Sequence, residues 1–113
     1  MYFQEAKSFA TEYRKELSPM MNKMGFKVSV TTFKEYYDEG KVIVKIKKVP
    51  KDFPVWSSVY SRYDFTPQAK KIETAISNRL ENIKQEKDIE LSYEILFDRS
   101  IPYIELNNNR EEK

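Results

Sequence analysis

Apolar residues recur at three- and four-residue spacing in two long segments, residues 3–17 and 66–87. This spacing places the apolar side chains on one face of an α-helix and the charged side chains on the other. Thr66 as N-cap and Pro67 as first helical residue mark the start of the second helix. The apolar stripes are Ala6, Phe9, Ala10, Tyr13 and Leu17 in the first segment and Ile72, Ile76, Leu80 and Ile83 in the second. The sequence therefore predicts two amphipathic helices.

The pair Ser18-Pro19 interrupts the first stripe. Proline removes a backbone donor inside a helix but is favoured at a helix start after a serine cap. Gly25 is suited to the left-handed conformation that ends many helices. The pattern thus predicts that the first helix ends near residue 17 and that a short separate helix covers residues 19–24.

Three other segments alternate between apolar and polar residues, which is typical of strands with one buried face. They are FKVSVTTF (residues 26–33), KVIVKIKK (41–48) and IELSYEILF (89–97). The first two are joined by KEYYDEG and predict a hairpin with a longer loop. Residues 55–60 are a candidate for a short edge strand, and residues 101–106 are a candidate for a last strand after the turn at 98–100.

Alternation with one polar face suits an antiparallel sheet with one side open to water. The predicted fold is a two-layer α+β domain, α-β-β-(β)-α-β-β, with an antiparallel sheet of four to five strands and two main helices on one face. The length of 113 residues suits one domain. We assign it to residues 1–106 and predict a disordered tail at 107–113.

Composition excludes several kinds of chemistry. The chain has no histidine, no cysteine and only two glycines, which argues against zinc sites, thiol catalysis and a glycine-rich phosphate loop. The carboxylates of YYDE (36–39) and DIE (88–90) are the nearest candidates for Mg²⁺, but such side chains are usually just solvated. We expect no metal, no cofactor and no catalytic residue, and hence a protein that is not an enzyme.

Neither a signal peptide nor a membrane span is indicated by the sequence, which predicts a cytoplasmic protein. The net charge of +2 is close to balance and does not by itself predict binding to nucleic acid or to an anionic membrane. The charges are nevertheless segregated, since residues 41–51 carry five lysines and no acid, whereas residues 88–98 carry four acids and no base.

Strand parity places Lys27, Lys45 and Lys47 on one polar sheet face, with Lys41 at the end of the row. This row, supported by Arg14 and Lys15, could contact the phosphates of a nucleic acid. The favoured alternative is that Glu90 and Glu94 pair with these lysines across neighbouring strands and neutralise the face.

The hairpin loop EYYDEG holds Tyr36 and Tyr37 beside Asp38 and Glu39. Loop tyrosines are favoured contact residues in protein interfaces. An acidic, tyrosine-rich tip could also mimic a nucleic-acid backbone towards a basic groove. In the equally weighted alternative, one tyrosine packs on the end of the sheet.

Residues 53–65 contain the only tryptophan, Trp56, between Phe53 and Phe65. We expect the two phenylalanines to pack the edge of the sheet against the second helix. Trp56, Arg62 and Tyr63 are candidates for a contact surface, with burial in the core as the favoured alternative for the segment.

RKEL (14–17), FKVSV (26–30) and VIV (42–44) resemble segments of domains carried on large polyvalent proteins of phages and conjugative elements. The likeness spans at most residues 5–80, and Lys48 stands where that pattern has a tryptophan. The resemblance implies an origin in a mobile element. Small proteins of this origin without catalytic residues often are anti-defence inhibitors, including anti-CRISPR proteins.

Three functional hypotheses follow. The first is a non-enzymatic binding protein of a phage or mobile element that acts stoichiometrically on a host protein or nucleoprotein complex. The second is a small nucleic-acid-binding module that uses the lysine row. The third is an accessory or structural protein that forms a homodimer through an exposed edge strand, such as residues 101–106. None of the three involves a membrane.

Overall fold

The computed structural model describes residues 1–57 and 64–101. The predicted return strand beyond Ile101 and the predicted tail at 107–113 lie outside these residues. The elements are α1 (Phe3–Lys23), β1 (Lys27–Lys34), a 3₁₀ turn (Tyr36–Asp38), β2 (Gly40–Lys48), β3 (Trp56–Ser57), β4 (Asp64–Phe65), α2 (Pro67–Lys87) and β5 (Ser92–Phe97). The α+β class and the two main helices are thereby confirmed.

Three strands form a mixed sheet in the order β1–β2–β5, with β1 antiparallel and β5 parallel to β2. The prediction of an antiparallel sheet is therefore wrong for β5. The chain between β2 and β5 contains α2, and a crossover of this kind returns the chain to the end where β2 began. Within the described residues, β3 and β4 pair only with each other, so a sheet of four or five strands is not found there.

Both helices contribute to one core on the same face of the sheet, called the inner face. Val42, Val44 and Ile46 of β2 form its centre and are fully buried. Val30 of β1 and Phe97 of β5 lie beside them. The helices cover these strands with Ala6, Ala10, Tyr13, Leu17 and Met21 of α1 and with Ala69, Ile76, Leu80 and Ile83 of α2. The opposite side, the outer face, carries no helix among the described residues.

Helix α1 continues through Pro19 to Lys23, so the predicted break after residue 17 is wrong. Proline inside a helix costs one backbone hydrogen bond, about 3 kcal/mol. Leu17 and Met21 are both buried on the same side of the helix, and a break between them would expose Met21. Burying one such side chain contributes roughly 1.5–3 kcal/mol, which offsets most of the proline cost. Gly25, with φ of 91°, then ends the helix as predicted.

Thr66 fastens the start of α2 to the preceding loop. Its hydroxyl accepts a hydrogen bond from the Ala69 backbone N–H at 3.1 Å and donates one to the Pro54 carbonyl at 2.6 Å. Its own backbone N–H donates to the Val55 carbonyl at 3.1 Å. The predicted N-cap is thus confirmed, and the fully buried side chain also joins two distant segments.

Tyr13 is buried between the helices, and its hydroxyl has no hydrogen-bond partner among the described residues. Burial raises the pKa of Tyr13 to about 12, and the nearby Glu16 carboxylate adds to this effect. Glu16 is itself held by Arg79 of α2 through two hydrogen bonds of 2.7 and 3.0 Å. The surroundings of Tyr13 therefore favour its neutral form, but they offer its hydroxyl no hydrogen bond within the described residues.

We expect Tyr13→Phe to stabilise the protein by about 1 kcal/mol at pH 7, because it removes a buried polar group without a partner. Folding raises the pKa of Tyr13 above the ordinary value of 10.0. The corresponding stability is therefore fully present below pH 10 and is lost as the pH rises towards 12. The variant should lose less stability over this range, as measured by urea unfolding at several pH values.

Tyr93→Phe is the matched control for this prediction. The Tyr93 hydroxyl donates to Glu81 at 2.6 Å and lies 2.9 Å from the Ser77 hydroxyl, so its removal should destabilise the protein. A Tyr13→Phe protein that is less stable than the parent at pH 7 would contradict the interpretation of Tyr13.

Candidate functional site

The hairpin between β1 and β2 ends in a tight turn with an unusual residue at its centre. The Glu39 N–H donates to the Tyr36 carbonyl at 3.1 Å, and the two residues between them, Tyr37 and Asp38, have φ of 56° and 66°. Positive φ at both central positions is the type I′ pattern, whose twist suits a hairpin. Asparagine and glycine favour these angles, whereas tyrosine in this conformation costs roughly 1–3 kcal/mol. The turn thus presents Tyr37 at a cost in backbone strain.

Both tip tyrosines point into solvent, Tyr36 being 87% and Tyr37 93% exposed. The alternative in which one of them packs on the sheet is therefore wrong. Two further exposed aromatic side chains lie at the same end. Phe33 is next to last in β1, and Tyr2 forms a bridge with Glu39. We call these four residues, Tyr2, Phe33, Tyr36 and Tyr37, the aromatic end.

Charged side chains surround the aromatic end. Lys34 pairs with Asp38 at 3.4 Å, and Lys41 pairs with Glu35 at 3.7 Å, so part of the acidity of the tip is neutralised. The aromatic end borders a shallow depression lined by Met1, Tyr2, Glu5, Glu39, Ile89 and Glu90. Three of these six residues are acidic. The surface therefore combines exposed aromatic rings with a partly acidic border.

The lysine row lies on the outer face, but its predicted neutralisation is only partial. Lys41 pairs with Glu94 at 3.7 Å. Lys45 is opposite Leu96, not opposite an acid, because the parallel register aligns Glu94 with Ile43. Glu90 precedes β5 and lines the depression at the aromatic end instead. The prediction that Glu90 and Glu94 pair with the row is therefore correct for Lys41 and Glu94 alone.

Lys45 and Lys47 form no ion pair with any residue of the two described segments. Asp98 is an acidic side chain that interacts electrostatically with both lysines. Hydrogen bonds from Ser100 lower the pKa of Asp98, and the charges of Lys45 and Lys47 lower it further. Lys27, the first residue of β1, lies opposite Lys48 at the end of β2, beyond a register shift. This part of the outer face is thus predominantly basic.

The other predicted site residues are separated from these two surfaces. Arg14 and Lys15 are exposed on α1 in the helical layer, and Lys15 pairs with Glu12 at 3.7 Å. They do not join the lysine row, because the helices cover only the inner face. Trp56 is partly buried and packs against Phe65 and Phe97, with ring centroids 5.5 and 6.4 Å apart.

The other predicted residues of the Trp56 segment either pack in the core or lie outside the described residues. Phe53 packs edge-on against Phe26 at 5.0 Å, which places it beside the start of β1 and against the common core. Phe65 packs on Phe97 of β5 at 5.2 Å. The predictions for Arg62 and Tyr63 lie outside the described residues. Trp56 therefore adds little exposed surface to a contact site.

Sequence reasoning did not identify Tyr2 and Phe33 as part of the candidate surface. The parity of β1 already placed Phe33 on the outer face with Lys41, so its exposure was predictable. Tyr2 carries no comparable local signal, because its position depends on the bridge to Glu39, 37 residues away in the chain.

Two features are absent from residues 1–57 and 64–101. No group of three or more acidic side chains lies close enough together to hold a metal ion. No helix in this part of the chain is long and apolar enough to span a membrane.

Comparison with protein-family models, with curated proteins and with solved structures finds no match for the chain.

Proposed function

We propose that the protein is a non-enzymatic binding protein that engages a host protein, alone or within a nucleoprotein complex, through the aromatic end. The observation that carries this proposal is the exposure of Tyr36 and Tyr37, at 87% and 93%, on a turn that is strained at Tyr37. A turn of Asn-Gly would close the same hairpin with less strain. Strained residues that persist in a fold often serve a function.

The chemistry of the aromatic end suits a protein interface. Tyrosine contributes a large apolar area with few rotatable bonds and carries a polar hydroxyl, and it is enriched among the residues that dominate binding energy. The ion pairs Lys34–Asp38 and Lys41–Glu35 lie beside the rings and resemble the polar rim of such interfaces. Glu39 pairs with the N-terminal ammonium at 3.4 Å. Glu5 and Glu90, which form no ion pair within the described segments, favour a partner surface that is basic.

The class of partner rests on the resemblance to domains of phages and conjugative elements. Within that hypothesis, the protein is an anti-defence inhibitor that acts in the cytoplasm and blocks a host complex by occupying one of its surfaces. A basic groove that normally holds nucleic acid would match the acidic, tyrosine-rich tip. Inhibition would then be stoichiometric, with one inhibitor for each groove.

The test is a pull-down from the lysate of the natural host with three tagged proteins: the parent, Tyr36→Ala/Tyr37→Ala, and Lys70→Ala/Lys71→Ala. Lys70 and Lys71 are exposed on α2, away from the hairpin, so their removal controls for unspecific surface effects. We expect one partner to co-purify with the parent and with the lysine control, and to be reduced at least tenfold with the tyrosine variant.

The folded state of the tyrosine variant is checked by its thermal unfolding. Its Tm should stay close to that of the parent, because both rings are almost fully exposed and alanine keeps the Cβ that causes the strain at position 37. A partner that remains bound at full affinity to the folded tyrosine variant would refute the role of the aromatic end. Sedimentation of the purified complex gives the stoichiometry, and a partner bound in many copies would contradict the inhibitor hypothesis.

A further inference from the structure

The outer face of the sheet presents an ordered pattern of side chains. Across the three strands, the register forms the rows Phe33–Lys41–Ser92, Thr31–Ile43–Glu94 and Ser29–Lys45–Leu96, followed by Lys47 on β2. Alternate residues of a strand are about 6.7 Å apart, so the stretch from Lys41 to Lys47 extends over roughly 20 Å. The hydroxyl groups of Ser29 and Thr31 on β1 lie beside this stretch of β2, and Phe33 lies beside Lys41 at its hairpin end.

The charges on this face are segregated along β2. At the hairpin end, Lys41 is neutralised by Glu35 and Glu94. At the other end, Lys45 and Lys47 have no ion-pair partner in the described segments, and Asp98 is the acid that acts on them. The part of the outer face around Lys45 and Lys47, beyond Lys41, therefore carries a net positive charge. We call it the positive track.

Lys27 and Lys48 add to this track. They face each other as register partners of β1 and β2. Like charges directly opposite each other destabilise a strand pair, so the fold retains this pair at a cost. The repulsion would be relieved by an anionic ligand that binds between the two ammonium groups or beside them.

We propose that the outer face binds single-stranded nucleic acid, with the phosphates on Lys45 and Lys47 and a base stacked on Phe33. Lysines position the backbone, and the hydroxyls of Ser29 and Thr31 are suited to further phosphate or sugar contacts. Phe33 is 57% exposed, and an exposed aromatic ring on a sheet surface is a platform for an unpaired base. This inference does not depend on the proposed protein partner.

The geometry favours a single strand over a duplex or a lipid surface. Within the described residues, no helix projects from the outer face to enter a major groove. A membrane-binding surface needs a band of exposed large apolar residues. Of the apolar side chains in the three rows, only Phe33 is exposed, whereas Ile43 and Leu96 are partly buried. The proposed ligand is therefore a short unpaired segment of DNA or RNA.

The test measures fluorescence anisotropy of labelled oligo(dT) and oligo(rU) of about 12 nucleotides, a length suited to a single small domain. We expect binding by the parent at about 50 mM salt and at least tenfold weaker binding by Lys45→Ala/Lys47→Ala. Loss of two phosphate contacts should also reduce the slope of log K against log[salt] by about 1.4. Lys70→Ala/Lys71→Ala removes the same charge from α2 and should leave affinity nearly unchanged.

Phe33→Ala separates stacking from charge. It should weaken binding roughly five- to a hundredfold and leave the salt dependence unchanged. Tyr36→Ala/Tyr37→Ala should retain the affinity for the oligonucleotides, whereas Lys45→Ala/Lys47→Ala should retain a protein partner found by pull-down. The failure of either hypothesis is thus distinguishable from the failure of the other.

Four outcomes would overturn the inference. They are no anisotropy change with either oligonucleotide at about 50 mM salt, equal weakening by the two double-lysine variants, tighter binding of a duplex of the same length, and retention on phosphatidylserine vesicles with the same dependence on Lys45 and Lys47. The last outcome would assign the lysines to a lipid surface, and the second would assign binding to overall charge.

Discussion

Thr66→Val should destabilise the protein by about 2–4 kcal/mol, although valine has nearly the same shape as threonine. The substitution removes the N-cap of α2, which contributes about 1 kcal/mol. It also leaves the Pro54 carbonyl without the hydroxyl that now donates to it at 2.6 Å. A buried acceptor without a partner costs about 1–3 kcal/mol more.

Urea unfolding monitored by circular dichroism measures this effect, which corresponds to a decrease in Tm of roughly 10 °C or more for a domain of this size. Thr66→Ser is the matched control, because it keeps both hydrogen bonds and removes one methyl group. It should cost about 1 kcal/mol. If valine and serine have equal effects, the buried hydroxyl does not connect α2 to the loop as described.

Gly40→Ala should cost about 2–3 kcal/mol through a steric conflict at the start of β2. A Cβ at this position would lie 2.7 Å from the Ala6 Cβ and 2.8 Å from the Phe3 Cα, well inside the contact distance of about 3.5–4.0 Å for carbon atoms. Phe3 and Ala6 belong to the first turns of α1, and the clash with Phe3 involves backbone. The helix can relieve it only by moving away from the sheet.

The measurement combines equilibrium unfolding with hydrogen exchange at the Ala6 and Gly40 amides, which donate to the carbonyls of Tyr2 and Met1 at 2.9 Å each. Both amides should exchange faster in the variant. Ala6→Gly alone should cost about 1 kcal/mol as a helix substitution, but less in the Gly40→Ala background, where it removes one of the two clashes. Additive effects would show that the two positions do not touch.

These two residues illustrate different degrees of predictability. Thr66 followed by Pro67 is a local signal, and the cap could be placed from the sequence alone. The bond from Thr66 to Pro54 could not, because it joins residues 12 positions apart, beyond the reach of a local pattern. Gly40 carried no signal beyond the turn, since its close contact with α1 arises only when the N-terminal helix packs against the hairpin.

The same distinction holds for the candidate surfaces. The exposure of the lysine row followed from the period-two alternation of β2, which is a property of the local backbone. Whether the lysine row is neutralised depends on which strand pairs with β2 and on whether that strand runs parallel or antiparallel to it. The crossover through α2 makes β5 parallel and places Leu96, not an acid, opposite Lys45. A register shifted by two residues would have placed Glu94 or Asp98 opposite Lys45.

The sequence by itself determined the helices, the long strands, the side of each strand that is buried and the cap of α2. These features follow from spacing and from hydrogen bonds within a few residues. Tertiary structure alone decided the direction of β5, the continuity of α1 through Pro19, the grouping of Tyr2 with the hairpin tip and the separation of Arg14 and Lys15 from the lysine row. Each of these depends on contacts between distant segments, whose free energies compete with local preferences and cannot be derived from a local pattern.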